Sequence, residues 1–144
     1  MNVKSILQVC FLFIAVLLGA TPLLAAQAEE VVVIGHPGLP KADRAQLLRL
    51  YTGRSIEMNG QVVTVANAAP GSATRQQFLL RVVHMDEARY RAYWTVRRHV
   101  GKGVPPTEVS PDEEMIQFVN STPGAIGYIG ASAVSGELNV IARY

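Results

Sequence analysis

The segment from Val62 to Val83 constrains the fold most, because it predicts a strand, a tight turn and a helix in succession. Its first residues are mostly β-branched, which favours a pleated and buried strand. Pro70-Gly71 ends that strand, and Ser72 stands where the N-cap of a helix is expected. The helix is then expected to bury a stripe of apolar residues at helical spacing, namely Phe78, Leu79, Val82 and Val83.

The turn inside this segment is the best candidate for a ligand site. A strand that runs through a turn into a helix directs several unpaired backbone N–H groups at one point, and such a point can hold an anion. The candidate ligand-binding residues are Gly71, Ser72, Ala73, Thr74 and Arg75, of which the last adds a positive charge. The simpler interpretation is an ordinary N-cap without a ligand, since Ser and Thr are common at helix starts for capping alone.

Residues 1–28 have the order of a secretory signal peptide: a charged start with Lys4, an apolar run and a tail of small residues. Ala26 and Ala28 offer two cleavage positions. An uncleaved membrane anchor is the alternative, but the run from Ile6 to Leu18 is short for a span of about 20 residues. We therefore expect residues 29–144 to form a mature domain that is periplasmic or secreted.

Composition limits what this domain can be. Cys10 is the chain's single cysteine and lies in the predicted signal peptide, so the mature domain should have no disulfide and should depend on its apolar core. The net charge of +2 falls to +1 when Lys4 is removed. A nearly neutral domain is not an obvious nucleic-acid or anionic-membrane binder. The arginine-rich segment 75–102 is therefore interpreted as a solvated helix surface.

The remaining pattern predicts alternating strands and helices. Strands are expected at Val31–Ile34, Ala125–Ile129 and Leu138–Ala142, and helices at Lys41–Tyr51 and Asp86–Arg98. The element order β-α-β-α-α-α-β-β indicates one layered α/β domain.

One further helix has a particularly clear start signal. Ser110 is predicted as its N-cap, Pro111 as its first residue and Glu113 as the partner in a capping box. Asn59-Gly60 signals a turn before the Val62 strand.

The sequence contains neither a catalytic nor a metal-binding pattern. The sequence has no G-x-S-x-G elbow, and His36, His84 and His99 do not share a metal-ligand spacing. The acidic run Asp112-Glu113-Glu114 is explained by the dipole of the helix that it begins. We expect no catalytic residue, no metal and no cofactor, and hence not an enzyme.

Four motifs in sequence order resemble phosphate-type periplasmic substrate-binding proteins. Ala45 to Arg54 resembles their "QLxxIFxGK" segment, and Val63 to Phe78 resembles their strand and "GSGT" loop. Tyr93 to Pro106 resembles their connecting region, and Thr122 to Ile129 resembles their "TPGAIGYV" signature closely. The resemblance covers nearly all of the predicted mature chain.

The resemblance implies one lobe of a type 2 periplasmic binding protein: a layered α/β sandwich with a mixed central sheet flanked by helices. Such proteins close two lobes over their ligand, and all four motifs resemble the second lobe, so a single-lobe member is expected. The family's loop carries an arginine where this sequence has Ala68, and a second glycine where it has Ala73. These departures predict weakened oxyanion binding.

Two functions follow from the resemblance. The first is an exported, non-enzymatic domain, similar to the substrate-binding protein of a phosphate ABC transporter, that binds phosphate or another oxyanion weakly. The alternative is a protein-interaction or regulatory module that has lost its ligand, because a single lobe is expected to expose apolar surface that suits a partner. An ABC permease, an envelope protein or a second copy in a homodimer is the expected partner.

Overall fold

The structure is a computed structural model that describes residues 28–144, so the predicted signal peptide lies outside the described residues apart from Ala28. The strands are β1 (Val31–Gly35), β2 (Glu57–Met58), β3 (Gln61–Val62), β4 (Thr64–Asn67), β5 (Thr107–Glu108), β6 (Ala125–Gly130) and β7 (Val140–Arg143). The helices are α1 (Arg44–Tyr51), α2 (Ala73–Phe78), α3 (Glu87–His99) and α4 (Asp112–Ser121). A π-helical turn, Leu79–Val83, continues α2, and a 3-10 turn, Ala131–Ala133, follows β6.

A mixed five-stranded sheet forms the centre of the domain, in the order β5-β4-β6-β1-β7. Strand β4 runs parallel to β5 and β6, while β1 runs antiparallel to β6 and β7. The short β2–β3 hairpin stands apart from this sheet. The predicted layered α/β fold with a mixed central sheet is therefore confirmed.

Strand β1 is buried on both faces, as its uninterrupted apolar sequence predicts. Because alternate side chains point to opposite faces, Val31 and Val33 join the apolar cluster that contains α1, α2 and α3. Val32 and Ile34 join the second cluster, which contains Met115 of α4. One strand thus links both layers of the core.

The predicted strand at Val62 is wrong in its position. Asn59 and Gly60 both have positive φ and form the turn of the β2–β3 hairpin, which pairs Val62 with Glu57 and leaves Val62 62% exposed. The sheet strand β4 begins only at Thr64. Asn59-Gly60 signals the turn correctly, but the two-residue strands around it are too short to show a periodicity.

The predicted capping box at Ser110 is also wrong. Helix α4 begins at Asp112 with Pro111 at the cap position, where no side chain accepts a hydrogen bond. The Asp112 carboxylate instead accepts the Gly130 backbone N–H at 3.0 Å. This hydrogen bond links the first turn of α4 to the end of β6. Burial raises the pKa of Asp112, although this hydrogen bond opposes the shift.

Gly124, between α4 and β6, has a φ of +74°, and a β-carbon there would lie 2.7 Å from the Val62 backbone oxygen. We expect Gly124→Ala to lower the free energy of unfolding by about 2–3 kcal/mol, since both the backbone conformation and this contact oppose a side chain. Urea denaturation measures the loss.

Gly71→Ala is the matched control for this prediction. Gly71 also has positive φ, +84°, but nothing lies within 4 Å of its β-carbon position. Only the conformational cost of about 1–2 kcal/mol applies there. Equal losses in the two variants would show that the close approach of Gly124 to Val62 has no energetic consequence.

Candidate functional site

The candidate loop connects the end of β4 at Asn67 to the start of α2 at Ala73. Ser72 is the N-cap, as predicted, and its hydroxyl oxygen accepts the Arg75 backbone N–H at 3.2 Å. The Ser72 N–H in turn donates to the Ala69 carbonyl at 3.2 Å. These bonds hold the turn in one conformation.

Two backbone N–H groups of the turn, those of Ala73 and Thr74, have no protein acceptor among residues 28–144. Ala73 is exposed and Thr74 is half-buried. Both line a cavity of about 390 Å³ that is also lined by Glu29 and Glu30. The N–H groups can therefore be reached from solvent, but carboxylates border the same space.

Glu29 sets the charge of this cavity. Its carboxylate accepts the Ser132 N–H at 2.7 Å, and hydrogen bonds from Ser132 lower the pKa of Glu29 although its slight burial opposes the shift. The group is therefore ionised at neutral pH. An anion that approaches Ala73 and Thr74 meets a negative charge across the cavity, which weakens its binding.

Arg75 does not face this cavity. Its side chain is only 4% exposed, and its guanidinium bonds Glu87 through Nε at 2.8 Å and through Nη2 at 2.9 Å. Its Nη1 donates to the Ala68 carbonyl at 2.9 Å and lies 3.2 Å from a Glu108 carboxylate oxygen. Arg75 therefore ties the start of the loop to α3 and to the edge strand β5.

The electrostatics of Arg75 follow from these contacts. Burial would lower its pKa, but the hydrogen bonds and charge of Glu87, with a smaller contribution from Glu108, raise the pKa above its ordinary value. The guanidinium is thus permanently charged and is already matched by two carboxylates. This pairing was not predictable from the sequence, because Glu87 and Glu108 are 12 and 33 residues away from Arg75.

A buried polar network lies beneath the loop, and sequence reasoning missed it. The Tyr128 hydroxyl donates to Oδ1 of Asn67 at 3.0 Å and accepts the Ala68 N–H at 3.1 Å. Nδ2 of Asn67 donates to the Tyr90 hydroxyl at 3.2 Å, which itself donates to the Tyr51 carbonyl at 2.8 Å. Asn67 is 1% exposed, so the network fixes the loop from inside.

Aromatic rings complete the support of the loop. The rings of Phe78 and Tyr128 stack at 3.9 Å, and Tyr51 meets Phe78 edge-on at 4.5 Å. The available sequence signals were an asparagine at the end of a strand and tyrosines on predicted helices and strands, but nothing in their spacing indicated contact.

His36, His84 and His99 belong to no metal-binding group within residues 28–144. No group of three His, Cys, Asp or Glu residues between 28 and 144 could hold a metal ion. No helix in the same range is long and apolar enough to cross a membrane.

No protein-family model matches the sequence, and no curated protein matches it significantly. Solved structures do match. An ABC-type phosphate transport receptor from Vibrio cholerae aligns with a TM-score of 0.60 and 17% identity, over 78% of this chain and 45% of that one. A putative phosphate ABC transporter substrate-binding protein with bound phosphate, from Clostridium perfringens, aligns with a TM-score of 0.60 and 19% identity, over 78% and 44%.

A possible phosphate binding protein from Planctomyces limnophilus also aligns, with a TM-score of 0.53 and 17% identity, over 80% of this chain and 42% of that one. The chain thus has the fold of part of a phosphate ABC transporter substrate-binding protein. It spans less than half the length of these three structures. The expected resemblance is confirmed as a likeness of fold to one portion of them.

Proposed function

We propose that residues 29–144 form an exported, non-enzymatic domain that binds phosphate or another oxyanion weakly at the turn from Gly71 to Thr74. The unpaired N–H groups of Ala73 and Thr74 are the observation that carries the proposal. They occur in a fold shared with a structure that contains bound phosphate. In this proposal residues 1–28 are a signal peptide, and the domain is periplasmic or secreted.

Arg75 has a different role in this proposal from the one that the sequence suggested. Its guanidinium is matched by Glu87 and Glu108, and it holds the Ala68 carbonyl at the start of the loop. Arg75 therefore positions the turn, and the backbone of the turn meets the anion. An ABC permease, an envelope protein or a homodimer partner stays a prediction, as does the alternative of an interaction module.

The expected affinity is low. A helix N-terminus contributes about 0.3–1 kcal/mol to holding an anion, and a charge-assisted hydrogen bond contributes about 1.5–3 kcal/mol. Millimolar binding needs about 4.1 kcal/mol and micromolar binding about 8.2 kcal/mol. Two backbone donors opposite the ionised Glu29 therefore support binding in the millimolar range, well short of a high-affinity scavenger.

A ¹⁵N NMR titration with sodium phosphate at constant ionic strength tests this proposal. The amide signals of Ala73 and Thr74 should shift and saturate with a Kd of about 1–10 mM, while sodium chloride at the same ionic strength should leave them in place. Micromolar binding would contradict the weak-site proposal. Amide signals that do not move with phosphate would remove the turn as the site.

A further inference from the structure

A second cavity, of about 200 Å³, lies between one face of α3 and the segment that leads into β5. Arg91, Trp94 and Arg98 recur at three- and four-residue spacing, which places them on one face of the helix. Pro105 and Glu108 form the opposite wall. This space is separate from the cavity at the turn, which Ala73 and Thr74 line.

The walls of this second cavity carry an excess of positive charge. Arg91 and Arg98 are exposed, and neither forms an ion pair with another residue of the described range 28–144. Arg75 also lines the space, but its charge is matched by Glu87 and Glu108. The two unmatched guanidinium groups are therefore the features that an incoming ligand would meet.

Trp94 provides a second, independent observation, which is a buried hydrogen-bond donor without a partner among the described residues. It is 5% exposed, and its indole Nε1–H is buried without a hydrogen-bond partner among residues 28–144. The Tyr90 hydroxyl, which lines the same cavity, is bonded to Asn67 and to the Tyr51 carbonyl.

We infer that this cavity binds a small multivalent anion, with Arg91 and Arg98 as its ligands and the Trp94 ring as its floor. The two arginines are seven residues apart, so their Cα atoms are separated by about 10.5 Å along the helix. Their long side chains can therefore converge on one anionic group or bind the two ends of a polycarboxylate. The cavity is smaller than the sites of about 300–1,000 Å³ that hold drug-sized ligands.

Glu108 restricts which anions are accepted. Its side chain is 53% exposed and lies on the wall opposite the arginines. A ligand must therefore present its oxygen atoms to α3 and not to β5. Phosphate and polycarboxylates share the required chemistry, and the test separates them.

The full mature domain is titrated with inorganic phosphate and, separately, with citrate, while the indole N–H signal in a ¹H–¹⁵N spectrum is followed. Trp94 is the single tryptophan of the chain, so the indole signal is assigned without ambiguity. We expect it to shift and saturate with at least one of the two anions. A signal that neither anion moves would overturn the inference.

Substitutions assign the effect to the cavity. Arg91→Gln and Arg98→Gln should each raise the Kd about tenfold, and the double variant should abolish saturation. Arg89→Gln is the matched control, because Arg89 is exposed on the same helix but lines a different cavity, and it should leave the Kd within about twofold. A saturating indole shift that persists in the double variant would overturn the inference.

This test is independent of the site at the turn. The amide signals of Ala73 and Thr74 report on the turn, and the indole signal of Trp94 reports on the second cavity. The double variant Arg91→Gln/Arg98→Gln should keep the phosphate response of those amides. Circular dichroism verifies that the variants are folded, as expected for exposed side chains.

Discussion

Arg75→Met should lower the free energy of unfolding by about 3 kcal/mol, because it removes one partner of a buried ion pair. The guanidinium is 4% exposed and makes two hydrogen bonds to Glu87 and one to the Ala68 carbonyl. Glu87 is 25% exposed and Glu108 is 53% exposed, so water can partly replace the lost contacts of both carboxylates. The effect is therefore expected at the low end of the range for buried pairs.

Urea denaturation at neutral pH measures this loss, and Glu108→Gln provides the control. Because Glu108 is largely solvated, its contact with Arg75 should be worth less than about 1 kcal/mol. A loss below about 1 kcal/mol in Arg75→Met would show that the pairing with Glu87 is not a major source of stability.

Arg75→Lys separates the structural role of this residue from ligand binding. A lysine keeps the charge but cannot reproduce the paired contacts to Glu87, so it should also destabilise the domain. The phosphate response of the Ala73 and Thr74 amides should persist while the domain is folded, because Arg75 faces away from them. A tenfold loss of phosphate affinity would instead place Arg75 at the anion.

Most of the longer strands and helices were predictable from the sequence in type and approximate position, although the helix predicted from Lys41 begins at Arg44. The two-residue strands were not predictable. Strand β1 and helix α3 have the expected positions because their apolar and capping patterns are continuous, with Asp86 as the N-cap of α3. The two-residue strands β2, β3 and β5 are set by backbone pairing across the fold. A pattern of alternation cannot arise within two residues.

The candidate site likewise contains some contacts that were predictable from the sequence and others that were not. Ser72 was predictable as an N-cap because the bond from the Arg75 N–H to its hydroxyl is local. The direction of the Arg75 side chain was not predictable, because Glu87 and Glu108 approach it from α3 and β5. The position of a residue in a helix specifies where its backbone lies. The direction of its charged group depends on partners that are distant in the sequence.

Alkaline pH should unfold this domain cooperatively, because three tyrosines that are at most 1% exposed, Tyr51, Tyr90 and Tyr128, are buried in their neutral form. Burial raises the pKa of each hydroxyl above its usual value near 10. In the unfolded chain all three should titrate near pH 10. Their contribution to stability is therefore complete below about pH 10 and is lost as the pH rises above it.

The size of this effect follows from the protons that are bound in each state. Above about pH 10 the unfolded chain releases protons that the folded chain retains, so each tyrosine lowers the free energy of unfolding by about 1.4 kcal/mol per pH unit. Three tyrosines give about 4 kcal/mol per pH unit. Since domains are typically stable by about 5–15 kcal/mol, unfolding is expected between about pH 11 and pH 14.

Tyrosinate absorbance and far-ultraviolet circular dichroism, followed together against pH, measure this transition. The chain has five tyrosines, and the three in the core should ionise only as the helical signal is lost.

Tyr128→Phe should reduce the dependence of unfolding free energy on pH by about 1.4 kcal/mol per pH unit. It should also cost about 1–3 kcal/mol at neutral pH, because the Ala68 N–H and Asn67 Oδ1 lose their partner. Ionisation of all five tyrosines near pH 10 in a domain that stays folded would contradict the buried network beneath the loop.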